Sequence, residues 1–408
     1  MSLGKYELRY LDSDGNYLFN LEKIVSLQYG RKKNDEGIAV VELPGDLYDF
    51  SKFDSDHRLE IYRTDDTTGL SVLQGETCWF LRSAQVEIDG KCNETLTLTF
   101  YDTISLLKRR IVAWLGKDVA NYPSVILEPF DDIIKYLYYY NFNDGTVDPT
   151  LANTAFTPAG VFSSSPAISF WQTQVYNGDL TERQFPITMQ VPSSLSSVTP
   201  TIIKFDFENC LTAMQDVAEN ASLFDDNIWF DIVYTPASVS AVATFDFQTW
   251  TGIRGVDRSA SPTQVIIGPE YGNLTNAVIT RDWTDEITIF YAGGNGDNEL
   301  RIVNSATESR DVTKPFYPIE GFVNASNTDV AGNLVSDAQV SLVESRPIDS
   351  FSGTFISKPP TEFNKQFGYG DFVYIQFKDI SSVAEVAEYE ITVDSNGEEI
   401  QIPFGNST

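Results

Sequence analysis

Gly252 to Val303 reads GIRGVDRSASPTQVIIGPEYGNLTNAVITRDWTDEITIFYAGGNGDNELRIV, and this stretch decides the fold class. Val265–Ile267 and Ile287–Tyr291 are β-branched and aromatic runs of strand length, bounded by Gly268-Pro269, Gly272-Asn273 and Gly293-Gly294-Asn295-Gly296. Those boundary residues supply the backbone freedom that corners require. The pattern is strand, corner, strand, with no nucleophile paired to a base, so it reads as a shaped scaffold.

Towards the N-terminus, Lys5–Leu11 alternates Tyr6, Leu8 and Tyr10 with Lys5, Glu7 and Arg9. This is the period of a strand with one buried and one wet face. Asp12-Ser13-Asp14-Gly15-Asn16 supplies a turn, and Tyr17–Leu21 returns as the antiparallel partner. Ile24–Tyr29, Ile38–Leu43, Leu59–Tyr62, Trp79–Ile88 and Thr95–Phe100 continue the series. Residues 1–122 are therefore expected to form a first β-barrel or sandwich domain.

In residues 123–262 helical periodicity shows twice. Pro129 opens Phe130–Tyr140, with Asp131 and Asp132 near the positive end of the dipole. Phe130, Ile133, Ile134, Leu137 and Tyr138 form one stripe; Leu211, Met214, Val217, Ala218 and Ala221 form another within Asn209–Phe224. Both stripes are read as core. Tyr138-Tyr139-Tyr140 is read as packing rather than an aromatic ligand box, because consecutive helical residues point apart. From Pro149 to Pro200 the charged residues are Asp179, Glu182 and Arg183, amid Phe162, Phe170, Trp171, Val175 and Phe185. This insertion is either a β-rich element touching a partner or an ordered surface loop. Residues 263–408 return to strands, at Ile287–Tyr291, Leu300–Val303, Phe372–Phe377, Tyr389–Val393 and Ile400–Ile402, with a helix over Val335–Arg346 packing by Val340 and Val343. The class expected is mainly β with a few helices, α+β.

With 408 residues, 42% hydrophobic and 13% aromatic, the chain can bury a substantial core across several domains. Its 58 acidic and 28 basic side chains leave a net charge of −30, which repels a phosphate backbone and excludes sequence-general nucleic-acid binding by counterion release. Cys78, Cys92 and Cys210 give no disulfide framework and fit a reducing cytoplasm. A hairpin of Trp79–Ile88 and Glu94–Tyr101 about Asp89-Gly90 puts Cys78 and Cys92 at opposite ends, beyond bridging reach. All three are read as buried thiols. Lys5, Glu7 and Arg9 stand where a secretory signal needs an apolar core, and no apolar run approaches the ~18 residues that span a bilayer.

No catalytic, cofactor-binding or metal-ligating residue is assigned. His57 lies in DSDHRLE without a nearby nucleophile motif and is read as a surface histidine at a strand opening. One histidine and three scattered cysteines match no zinc spacing. Asp12-Ser13-Asp14-Gly15 and Asp54-Ser55-Asp56 lack the closing glutamate of a calcium loop. Gly293–Gly296 lacks the lysine of a phosphate loop and leads into Asp297 and Glu299, so it is read as a bend. Paired carboxylates for glycoside cleavage are the strongest enzyme alternative, and their test is a separation across a cleft. Two basic runs stand out. Arg31-Lys32-Lys33 is read as a solvated patch that softens self-repulsion, with an acidic neighbouring subunit as the other reading. Lys108-Arg109-Arg110 leaves the same two readings open.

A G-x-D-R-S segment at Gly255–Ser259, a G-N-L segment at Gly272–Leu274 and a G-x-G after a strand at Gly294–Gly296 occur in that order. Glu94–Val112, ETLTLTFYDTISLLKRRIV, adds a strand followed by a turn with paired arginines, and Gly368–Val373, GYGDFV, opens a late strand. Together these resemble the minor tail proteins of long-tailed bacteriophages that serve as the tail hub, over most of the chain except the low-charge stretch near Phe156–Pro200. The resemblance implies a baseplate-hub-like protein with two tube-like β-barrel domains, at 1–122 and 263–408, around the helix-containing region 123–262. It implies a non-enzymatic homotrimer at the virion's tail tip, assembled in the host cytoplasm, that imitates a six-fold ring and docks on the tail tube. Distal tail, tip and receptor-binding proteins would be its partners, and genomic DNA would pass its lumen. The match to the family's paired arginines implies an intramolecular or intersubunit salt-bridge role for Lys108-Arg109-Arg110. The alternatives are a glycan-binding tip protein using exposed aromatics such as Trp171, or a tail-associated cell-wall hydrolase.

Overall fold

The computed structural model describes residues 5–404 except 66–67, 113–123, 126–128, 143–184, 190–195, 197–202, 206–207, 225, 297–300, 309–312, 314, 326–330, 347 and 379. Most of the insertion at 149–200, Trp171 included, lies outside the described residues, as do the side chains of Tyr139 and Tyr140.

The N-terminal strands are β1 (Tyr6–Leu11), β2 (Tyr17–Leu21), β3 (Ser26–Lys32), β4 (Asp35–Pro44), β5 (Arg58–Thr64), β6 (Ser71–Leu73), β7 (Trp79–Ile88) and β8 (Glu94–Tyr101). Two hairpin turns use one device. The Asp12 carboxylate accepts from the backbone N–H of Asp14 at 2.9 Å and of Asn16 at 2.8 Å. Asp89 does the same for Lys91 at 2.7 Å and Asn93 at 2.9 Å. This is the local competition with the ladder that makes aspartate a turn residue. Cys78 and Cys210 are buried as expected, but Cys92 is exposed, because its place in the β7–β8 turn has nothing to pack beneath it.

Helices α1 (Phe130–Phe142) and α2 (Cys210–Ser222) build a second core with β9 (Ile228–Thr235) and β10 (Thr244–Thr251). Both sequence stripes lie in that core. Asn209 caps α2 by accepting from Leu211 N at 3.0 Å. Tyr138 packs flat on Phe247, with ring centroids 4.1 Å apart, and is core rather than a ligand box.

Further on come β11 (Asp257–Arg258), β12 (Ile266–Ile267), β13 (Leu274–Asp282), β14 (Ile289–Gly293), β15 (Val303–Thr307), β16 (Glu320–Asn324), α3 (Ala331–Glu344), β17 (Ile348–Phe355), β18 (Phe372–Phe377), β19 (Ile380–Glu385), β20 (Glu388–Asp394) and β21 (Gly397–Gln401). Two expectations are corrected here. The strand placed at Leu300–Val303 begins only at Val303, since Arg301 and Ile302 serve the corner before it. Helix α3 buries Leu334, Ala338 and Leu342, not Val340 and Val343; the i, i+4 row with the larger leucines wins the face over β14–β16.

Hydrogen bonding joins both ends of the chain in one twelve-stranded sheet, ordered β13-β17-β21-β20-β3-β4-β8-β7-β5-β1-β2, with β6 on β5. The sheet rolls up. Arg63 on β5 donates to Glu398 on β21 at 2.9 Å, although five strands lie between them in the ladder. Tyr6 and Tyr29 meet through their hydroxyls at 3.4 Å across the same interior. The enclosed core contains Tyr10, Tyr29, Trp79, Phe100 and Tyr389. It is covered by a smaller sheet of β11, β12, β18 and β19, which contributes Val265, Ile267, Val373 and Ile375. The architecture is mainly β with a few helices, as expected. Among the described residues, no helix is long and apolar enough to cross a membrane.

Candidate functional site

The densest polar chemistry sits where the tip of the β3–β4 hairpin meets the second core. Leu27, Tyr29 and Arg31 alternate into the interior along β3, so Arg31 arrives fully buried. Its Nε donates to Asp102 at 3.1 Å, Nη1 to Gly75 O at 2.7 Å and Nη2 to Asp231 at 2.6 Å. The other oxygen of Asp231, on β9, accepts from Arg254 Nη2 at 2.9 Å. The guanidiniums of Arg31 and Arg254 also lie 5.2 and 5.0 Å from the Tyr369 ring. Burying ions is expensive unless each is paired and hydrogen-bonded. Here two cations alternate with two carboxylates contributed by segments far apart in sequence.

The two carboxylates answer this environment differently. Burial pushes the Asp102 carboxyl up to about 6, Arg31 pulls it down less strongly, and neighbouring Asp231 adds to the rise. Burial also lifts Asp231, but Arg31 and Arg254 together outweigh it and hold its pKa below the usual carboxylate value. Asp231 is therefore the firmly ionised centre of the network.

Next to Arg31, Lys33 reaches Glu385 at 3.1 Å, lies over the Trp229 ring and also donates to Asn227. Asn34, held at φ 54°, donates to Ile228 O at 2.8 Å and accepts from Phe230 N at 2.8 Å. Its amide thus substitutes for a ladder partner along the edge of β9. The solvated-patch reading of Arg31-Lys32-Lys33 is corrected: only Lys32 is exposed, and the run plugs the hairpin into the neighbouring core. What sequence reading missed was Asp102, Asp231, Arg254 and Glu385. The available signal was Asp231 itself, a lone acid inside the apolar run IWFDIVY.

Two motif segments meet beside this network. Asp371 of GYGDFV accepts from Val256 N at 2.7 Å and Arg258 Nε at 2.8 Å in the G-x-D-R-S segment, and from Gly368 N at 2.9 Å. A Cβ on Gly255 would stand 2.2 Å from Asp371 Oδ1 and 2.8 Å from Gly370 C, so only glycine fits. In the G-N-L segment, Asn273 accepts from Gly268 N at 2.9 Å and donates to Ile266 O at 2.8 Å, fastening the corner. Gly293 lies under Arg301, which caps the bend by donating to Gly293 O at 2.9 Å and stacks over Phe322.

The second basic run makes intramolecular pairs. Lys108 reaches Glu36 at 2.5 Å, Arg109 grips both oxygens of Asp56 at 2.8 and 2.6 Å, and Arg110 stacks on Phe185. Arg82 shares Asp56 at 2.9 Å, so within Asp54-Ser55-Asp56 the last residue anchors two arginines. His57 is half-buried at the opening of β5, with Nδ1 3.0 Å from the Tyr10 hydroxyl. Among the described residues, no group of three or more His, Cys, Asp or Glu side chains is arranged to hold a metal ion. The network's physical effect is to fix the rolled sheet, the covering sheet and the second core against one another.

This architecture is that of phage tail proteins. The 43 kDa tail protein of prophage MuSo2 from Shewanella oneidensis superposes with a TM-score of 0.54 at 10% identity, over 98% of this chain and 98% of that one. The tail protein of Neisseria meningitidis MC58 gives 0.54 at 11% identity, over 99% and 96%. At such identities the likeness is one of fold. The chain belongs to the Siphovirus ReqiPepy6 Gp37-like protein family, whose profile matches residues 7–406. No curated protein matches the sequence.

Proposed function

We propose that this chain is a structural tail hub of a siphovirus-type virion, a ring that closes the distal tail tube. In this reading it adapts the tube's symmetry as a homotrimer, anchors tip or receptor-binding proteins and leaves a channel for DNA. Residues 1–122 and 263–408 supply the wall strands, and 123–262 braces them from one side. Family membership and the tail-protein fold support a structural rather than catalytic role.

The observation that carries the channel reading is the outer face of the rolled sheet. Ladder register sets Glu399, Thr392, Gln28, Val40, Thr99 and Ser83 in one row across six strands. The neighbouring row is Ser26, Glu42, Thr97 and Gln85. Neither row contains a lysine or arginine, so such a wall repels phosphates and gives them no cation to hold.

Native mass spectrometry and imaging of the purified particle test this. The expected results are a mass of three chains and a ring at the distal tube end with these rows facing the lumen. A chain that stays single, or a lumen lined by other faces, overturns it. Thr97→Lys with Thr99→Lys is expected to slow DNA ejection without disturbing tail assembly.

A further inference from the structure

Residues 284–346 carry their own core of Phe290, Ala292, Ala306, Leu334, Ala338 and Leu342, none of which belongs to the sheet's core. Packing inside it is close: a Cβ on Gly321 would lie 2.8 Å from both Ile287 Cδ1 and Phe290 Cζ. Polar contacts tie its elements to one another. Ile287 N donates to Ser345 O at 3.3 Å, Arg346 to Glu308 at 2.6 Å and Tyr317 to Glu308 O at 3.4 Å.

The link to the rest of the chain is the β13–β17 ribbon. Its base is anchored, with Leu274 and Phe355 buried and Thr354 and Phe355 paired to β21. Phe351 forms one further bridge, to Phe404. Beyond that point the pairs Thr280↔Ser350, Arg281↔Asp349 and Asp282↔Ile348 have no third strand on either side among the described residues. Thr280, Arg281, Asp282 and Trp283 are exposed there. Nearer the base, the register slips between Thr275 and Val278, with Asn276 at φ 52°. A two-stranded ribbon is marginally stable alone, and hinges are a few terminal residues that absorb the dihedral change.

We propose that residues 284–346 form a self-contained body hinged on the β13–β17 ribbon, free to turn as a unit against the rolled sheet. The property belongs to the single chain and does not rest on the hub reading. The test uses the full chain with Cys92→Ser, which removes the exposed thiol. One nitroxide pair, at Ser305→Cys and Glu399→Cys, spans the ribbon; a control pair, at Gln28→Cys and Gln85→Cys, stays within the sheet. Pulsed dipolar spectroscopy is expected to give a distance distribution at least about twofold wider for the spanning pair. Amides of Thr280–Asp282 are expected to exchange at least about tenfold faster than those of β14 and β3. Equal widths for the two pairs, or ribbon amides protected like β3, overturn the proposal.

Discussion

Arg31-Lys32-Lys33 and Lys108-Arg109-Arg110 are both runs of three cations in an acidic chain, yet they end in opposite environments. Arg31 is sealed between Asp102 and Asp231, whereas Arg109 and its partner Asp56 remain partly wet, at 28% and 35% side-chain exposure. The difference comes from strand parity. β3 alternates and carries its odd-numbered residues inward, so Arg31 must enter the core, while Lys108 and Arg109 end a 3-10 turn at the surface. Local charge density says nothing about burial; the element that carries the charge decides it.

The comparison breaks most readily at Asp231. Asp231→Ala leaves two buried guanidiniums without their shared counter-ion, and a loss of about 3–5 kcal/mol is expected from denaturant unfolding. A smaller effect, about 1–3 kcal/mol by the same measurement, is expected for Gly255→Ala, where the added methyl collides with Asp371 and the Gly370 backbone.

Acid sharpens the contrast between the two carboxylates on Arg31. The folded Asp102 carboxyl is raised to about 6, so the native state binds that proton more tightly than the unfolded chain does. The sign follows: this group adds stability as pH falls from above 6 towards the unfolded value near ~4, and the gain is lost as pH rises through 6. Wild type is therefore expected to gain stability relative to Asp102→Asn between pH 7 and 4.5. An unchanged difference would show that Asp102 titrates normally. The smallest effect belongs to the second run: Arg109→Ala is expected to cost about 0.2–1 kcal/mol, reduced further by salt, as for exposed pairs.

Much of the fold was legible from local pattern. Tyr17–Leu21, Trp79–Ile88 and Phe372–Phe377 stand in the structure with the boundaries read from alternation and turn residues. Both helical stripes in the middle region lie in the second core, because period and burial are the same physical fact there. The face of α3 was misread since Val340 and Val343 fit the helical period as well as Leu334, Ala338 and Leu342, and only the sheet beneath selects one row. The site was legible in part. The motif glycines and Asp371 were visible as residues, but their meeting at Gly255 was not.

By itself, the sequence determined strands, turns, helical stripes and the absence of nucleophile motifs, since each depends on contacts within about a dozen residues. Only the tertiary structure decided that β3 pairs with β20, that the sheet rolls until Arg63 meets Glu398, and that Asp231 is shared by Arg31 and Arg254. Those contacts join residues between 23 and 366 positions apart, and nothing in a local pattern names a distant partner.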